Sequence, residues 1–165
     1  MYRPRGLRNN NPLNIRHSAD RWQGARKKQQ DLSFVEFKSM SYGYRAAWKV
    51  LQSYYEYFRK QGKPFTVRNI ISRWAPLNEN DTEAYIKRVV QLTSIGGNQI
   101  LLPPLTVDSY GCLSNLIIAM TSVECGISPA KVDTEAICKG YRMAFLKNDE
   151  ALDEWLNRQD EYKDS

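Results

Sequence analysis

The chain has 165 residues, a formal net charge of +6, 42% hydrophobic and 25% charged residues. That is enough for one domain with its own core, and no apolar run approaches the ~20 residues of a membrane span. Three cysteines (Cys112, Cys125, Cys138) without a C-x-x-C pair, and the single histidine His17, argue against a disulfide framework, a zinc centre and a serine–histidine–aspartate triad.

The charge is uneven. Residues 149–165 hold seven acids and two bases, which leaves 22 bases against 11 acids in residues 1–148. A single basic domain (1–148) is therefore expected ahead of an acidic C-terminal tail (149–165). The basic body suits a polyanion, whether nucleic acid or an anionic cell wall. MYRPRGLRNNN has no apolar signal-peptide segment, so cytoplasmic synthesis is expected, with delivery to a wall left to another agent.

In chain order, Arg5 to Arg16 (RGLRNNNPLNIR) suits neither helix nor strand. Asparagines bond to nearby backbone, and Pro12 pushes Asn11 toward an extended conformation. The segment reads as an ordered polar loop leading into a short strand at 13–16, able either to bind a hydroxyl- and amide-rich ligand such as a sugar or simply to hold a turn. Trp22-Gln23-Gly24, the polar run to Asp31 and the alternating SFVEFK at 33–38 then form a hairpin.

After Gly43 the period becomes helical. Ala47, Leu51, Tyr54 and Phe58 form one stripe of a helix over 44–60, with Gly62 as its stop. Thr66 caps a helix over 67–74 that Pro76 ends, and Asp81 or Thr82 caps another running to about Leu92. Gly96-Gly97 and Pro103-Pro104 make a stiff connection. The most apolar helix begins at Thr106 or Asp108 and ends at Gly126; a last core helix starts near Ser128-Pro129 or Asp133 and runs to about Leu146. The expected class is mainly α with one small β-hairpin near the N-terminus.

The helix over 107–125 carries the best catalytic candidate. Leu113, Ile117, Met120 and Glu124 continue one core-facing stripe. Desolvation and the negative end of the helix dipole both favour a protonated Glu124, with its pKa above the usual ~4.3, as a general acid requires. A fraying helix end would instead leave it in water. Glu36 alternates against Val35 and Phe37, so it is either an assistant overlooking a groove or a solvated strand residue. In RWAPLNENDTEAY (73–85), Asp81 and Thr82 offer a helix start, and Tyr85 lies one turn on; capping alone accounts for the first two.

RNNNPLNIR, Trp22-x-Gly24, Phe34 to Arg45 and RWAPLNENDT with Tyr85 together resemble a family of phage and prophage proteins described as structural or virion proteins, over about residues 5–145. A weaker likeness is to lysozyme-like glucosaminidases that cut peptidoglycan. Those enzymes run from a helix bearing a catalytic Glu into an Asn-Asn loop, a Trp-x-Gly hairpin, a long helix and an Asp/Thr/Tyr segment. Asn10, Asn11, Trp22, Gly24, Asp81, Thr82 and Tyr85 match in order. Nothing matches the catalytic helix ahead of the loop or the acid within the hairpin, but Glu124-Cys125-Gly126 resembles the end of such a helix displaced toward the C-terminus. The likeness implies a circularly permuted lysozyme-like domain, and termini that lie close together make permutation structurally cheap.

On that resemblance Glu124 is the acid, Glu36 at most an assistant, and Asn10, Asn11, Asn14, Arg16, Trp22, Asp81, Thr82 and Tyr85 bind the glycan of peptidoglycan. No metal or organic cofactor is implied. The competing expectations are a non-catalytic virion or wall-binding protein with other virion proteins as partners, and a nucleic-acid binder using Arg3, Arg5, Arg8 and Arg16, for which no recognisable motif speaks.

Overall fold

The structure, a computed structural model, describes residues 2–78 and 80–146. The acidic tail lies outside them. Among the described residues there are six α-helices: α1 (Arg5–Arg8), α2 (Met40–Lys60), α3 (Val67–Trp74), α4 (Thr82–Thr93), α5 (Tyr110–Cys125) and α6 (Thr134–Phe145). Among the described residues there is no strand, and no helix is long and apolar enough to cross a membrane.

Helix α5 is central because it is apolar on nearly every side: Leu113, Leu116, Ile117, Ala119 and Met120 are all essentially inaccessible to water. Helices α1, α4 and α6 pack on it, and α2 lies along α6. Two polar groups inside this core find partners. The Tyr44 hydroxyl meets the Thr121 hydroxyl at 3.0 Å, and the Trp48 indole donates to the Ile137 carbonyl at 3.1 Å. Trp48 also meets Tyr141 edge-on, with ring centroids 5.0 Å apart.

Side-chain caps set most helix boundaries. Thr66, Asp81 and Asp133 each accept from the backbone N–H three residues on, which starts α3, α4 and α6 where the sequence predicts. Helix α2 starts at Met40, four residues before the predicted Tyr44, because Ser39 accepts from the Tyr42 N–H. Gly43 thus lies inside the helix rather than ahead of it, and a Cβ there would sit 2.0 Å from the Asn10 carbonyl oxygen. Only glycine lets the asparagine loop rest directly on α2. At the other end Gly62, with φ +67°, allows the Gly62 and Lys63 N–H groups to reach the Arg59 and Phe58 carbonyls, closing the helix.

Two N-terminal expectations are corrected. Arg5–Arg8, read as loop, forms a single helical turn, with the Leu7 and Arg8 N–H groups on the Pro4 carbonyl. The hairpin strands at 13–16 and 33–38 do not form; only isolated antiparallel bridges occur, Arg16 with Phe34 and Ala25 with Phe37. Segment 33–38 still runs between two neighbours. The Val35 N–H meets the Ile15 carbonyl at 3.0 Å on one side, and the Arg26 N–H meets the Glu36 carbonyl at 2.9 Å on the other. Side chains occupy the remaining ladder positions: the Gln29 amide takes both the N–H and the carbonyl of Glu36.

Asn11 does the same on the opposite side. Wholly buried, it donates to the Ile15 and Val35 carbonyls at 2.9 and 2.8 Å and accepts from the Ile15 N–H at 2.9 Å. Leaving such partners unpaired inside a protein costs about 1–3 kcal/mol. Asn11→Ala should therefore lower the thermal midpoint clearly. An unchanged melting curve would show that the loop is held by something else.

Candidate functional site

The end of α5 brings Glu124 against the asparagine loop. Asn14, held in the left-handed region with φ +52°, donates its side-chain amide to Oε2 of Glu124 at 3.0 Å, across 110 positions of sequence. Asparagine tolerates that backbone conformation better than most residues. From α4, the buried Tyr85 hydroxyl donates to Oε1 at 3.2 Å, and the Trp74 side chain at the end of α3 is a third hydrogen-bond partner. Thr82 supports this wall by donating its hydroxyl to the Ala75 carbonyl, beside Trp74.

A cleft of about 280 Å³ opens over this carboxyl. Asn14, Arg16, Phe34, Tyr54, Trp74, Asn80 and Glu124 line it. Polar and aromatic groups therefore share one small concave surface.

Burial pushes the Glu124 carboxyl above the ordinary range, against the opposing pull of Asn14, Tyr85, Trp74 and the Arg16 charge. Glu36 differs. Burial would raise it too, but the Gln30 and Asp31 backbone N–H groups and the Arg26 guanidinium at 3.3 Å outweigh that and hold it below the ordinary value. Asp31 lies lower still, chiefly through its bond to Arg5 at 2.6 Å, with Asn9 and the Ser33 and Phe34 N–H groups adding to it. Among the described residues no His, Cys, Asp and Glu cluster could hold a metal.

Of the residues singled out in the sequence, the structure brings Asn14, Arg16, Tyr85 and Glu124 together. Glu36 braces the turn at 26–31 and does not line the cleft. Asn11 is inside the fold, and Asn10 donates to the Phe37 carbonyl at 3.2 Å. Trp22 packs against the core, Asp81 caps α4, and Thr82 acts through Ala75. Trp74, Tyr54, Phe34 and Asn80 were not individually foreseen. Trp74 and Asn80 belong to RWAPLNENDT, whose mixture of aromatic and amide groups was the available signal.

Fold and site define a mainly α protein in which a half-buried carboxylic acid, held by three side chains from three parts of the chain, faces a polar–aromatic cleft. No family model matches the chain. It is 38% identical over 144 residues to Protein P5 of Pseudoalteromonas phage PM2, a match that covers 86% of this chain and 82% of that protein. The chain belongs to the family of that bacteriophage protein.

The Tyr85 hydroxyl bonds the carboxylate and so favours the charged form. Tyr85→Phe should move the Glu124 pKa further up, read by ¹³C NMR titration of the side-chain carboxyl; a downward shift would contradict this arrangement. Linkage gives a second outcome. With its folded pKa above the unfolded ~4.3, Glu124 contributes stability at low pH that is lost as pH rises through the folded pKa. The stability gain of Glu124→Gln over wild type should therefore grow with pH, as measured in paired melts.

Proposed function

We propose that this protein cleaves the glycan strands of bacterial peptidoglycan, with Glu124 as the general acid. The observation that carries this reading is the Glu124–Asn14 contact inside the cleft. It puts a carboxylic acid with a raised pKa beside an asparagine loop, as the lysozyme-like resemblance requires, and so supports a circularly permuted lysozyme-like arrangement. The cleft's aromatic and amide groups suit sugar faces and N-acetyl groups.

In this reading Glu124 gives its proton to the glycosidic oxygen as the C–O bond breaks, and the departing sugar leaves as an alcohol. The oxocarbenium-like centre must then be captured. In this reading a hydroxyl of the same sugar captures it, and the proton of that hydroxyl passes to the Glu124 carboxylate and restores the acid. The product is an internal anhydro ring, and the activity is that of a lytic transglycosylase. Glu36 has no step in this scheme.

The phage relative supports association with a virion, where a wall-cutting protein would assist passage of the cell envelope, and it equally fits a non-catalytic virion or wall-binding protein. A nucleic-acid role is weaker, since Arg5, one of the four arginines it would use, is committed to Asp31.

Digestion of purified cell walls tests the proposal. Wild type should release fragments with anhydro ends, and Glu124→Gln should be slower by ~10²–10⁴-fold, the usual contribution of a general acid. Reducing ends in place of anhydro ends would mean that water captures the intermediate. If Glu124→Gln digests at the wild-type rate, the catalytic reading fails and the non-catalytic one replaces it.

A further inference from the structure

Arg73 lies in the last turn of α3, next to the cleft residue Trp74. Four other arginines meet carboxylates: Arg5 with Asp31, Arg26 with Glu36, Arg59 with Glu56 and Arg68 with Glu83. Arg73 has no acidic partner among the described residues. Its guanidinium lies instead over two tyrosine rings of α2, 3.8 Å from the Tyr57 centroid and 5.1 Å from that of Tyr54.

Tyr54 lines the cleft and meets Trp74, also a cleft residue, edge-on with centroids 5.8 Å apart. Arg73, Tyr54, Trp74 and Glu124 thus form a connected chain of contacts that reaches the cleft carboxyl. A guanidinium held over aromatic rings loses little mobility when it binds, and its N–H fork matches a planar carboxylate. Arg73 is also exposed, so an incoming group can reach it.

We propose that Arg73 recognises a carboxylate carried by the glycan beside the cleft, and so selects anionic glycans over neutral ones of equal length. This rests on the reading of the cleft as a glycan site. Peptidoglycan can supply that carboxylate from its stem peptides, or from the lactyl group of the sugar where the peptide has been removed. Neutral chitin oligomers have neither.

The test uses the Glu124→Gln protein, so that no ligand is consumed, with and without Arg73→Gln or Arg73→Lys. Calorimetric titrations compare three oligomers of equal length: peptidoglycan with its peptides, the same strand after amidase treatment, and chitin. At least one anionic oligomer should bind about tenfold more tightly than chitin, as one charge-assisted contact allows. Arg73→Gln should reduce that oligomer to the chitin level and leave chitin binding unchanged. Arg73→Lys should retain part of the preference and controls for any loss of folding in the Gln variant. The oligomer that loses more identifies the source of the carboxylate. Equal loss for all three ligands, no preference in the parent, or no binding to any of them overturns the proposal. If wild type fails to cut cell walls but the Arg73-dependent preference is found, the catalytic reading falls and this assignment stands.

Discussion

One buried side chain holds the N-terminal third of this protein in shape. Asn11 presents a carboxamide where a neighbouring strand would present a peptide group, and it binds residues four and 24 positions away. An amide carries one acceptor and two donors on a rigid plane, so it can complete a ladder that the backbone leaves open. The consequence reaches the cleft. With Ile15 pinned, its neighbours Asn14 and Arg16 line the opening, while Leu13, Val35 and Phe37 fill the core beneath.

Three carboxylic acids lie close to this loop, and their surroundings give them different tasks. Asp31 and Glu36 collect backbone N–H groups and an arginine each, which stabilises the charged form and uses it to hold turns. Glu124 is bonded by side chains, and burial outweighs them. Stabilising the charged form makes a carboxyl a poorer proton donor near neutral pH, whereas desolvation shifts it toward a better one. Environment, not residue type, therefore separates the two structural acids from the third.

Helices were legible in the sequence because their signals are local. Caps at Thr66, Asp81 and Asp133 and the apolar stripe ending at Glu124 depend on residues within a few positions of one another. The N-terminal region was less legible for the opposite reason. A hairpin pattern was present at 33–38, but Asn11 and Gln29 took over positions that a strand would have filled, and alternation cannot register that. The four asparagines illustrate the limit: Asn11 went to the core and Asn14 to the cleft, although nothing in their spacing ranks one above the other. Tyr54 belongs to the helical stripe of α2, and its contact with Trp74 depends on tertiary packing that periodicity does not register.

The register between loop and helix end has its own lock. Next to Glu124, the Cys125 thiol donates to the Pro12 carbonyl at 3.3 Å, so two consecutive residues of α5 grip two residues of the loop, Pro12 and Asn14. Burial, with the Glu124 charge beside it, pushes this thiol up to about 11, which keeps its proton in place to be donated. Cys125 forms no disulfide and, as a protonated buried thiol, is no nucleophile. It behaves as a small apolar residue with one weak donor, suited to a site where helix and loop approach closely. Since the contact fixes position and not chain order, an acid near the C-terminus can serve a loop near the N-terminus.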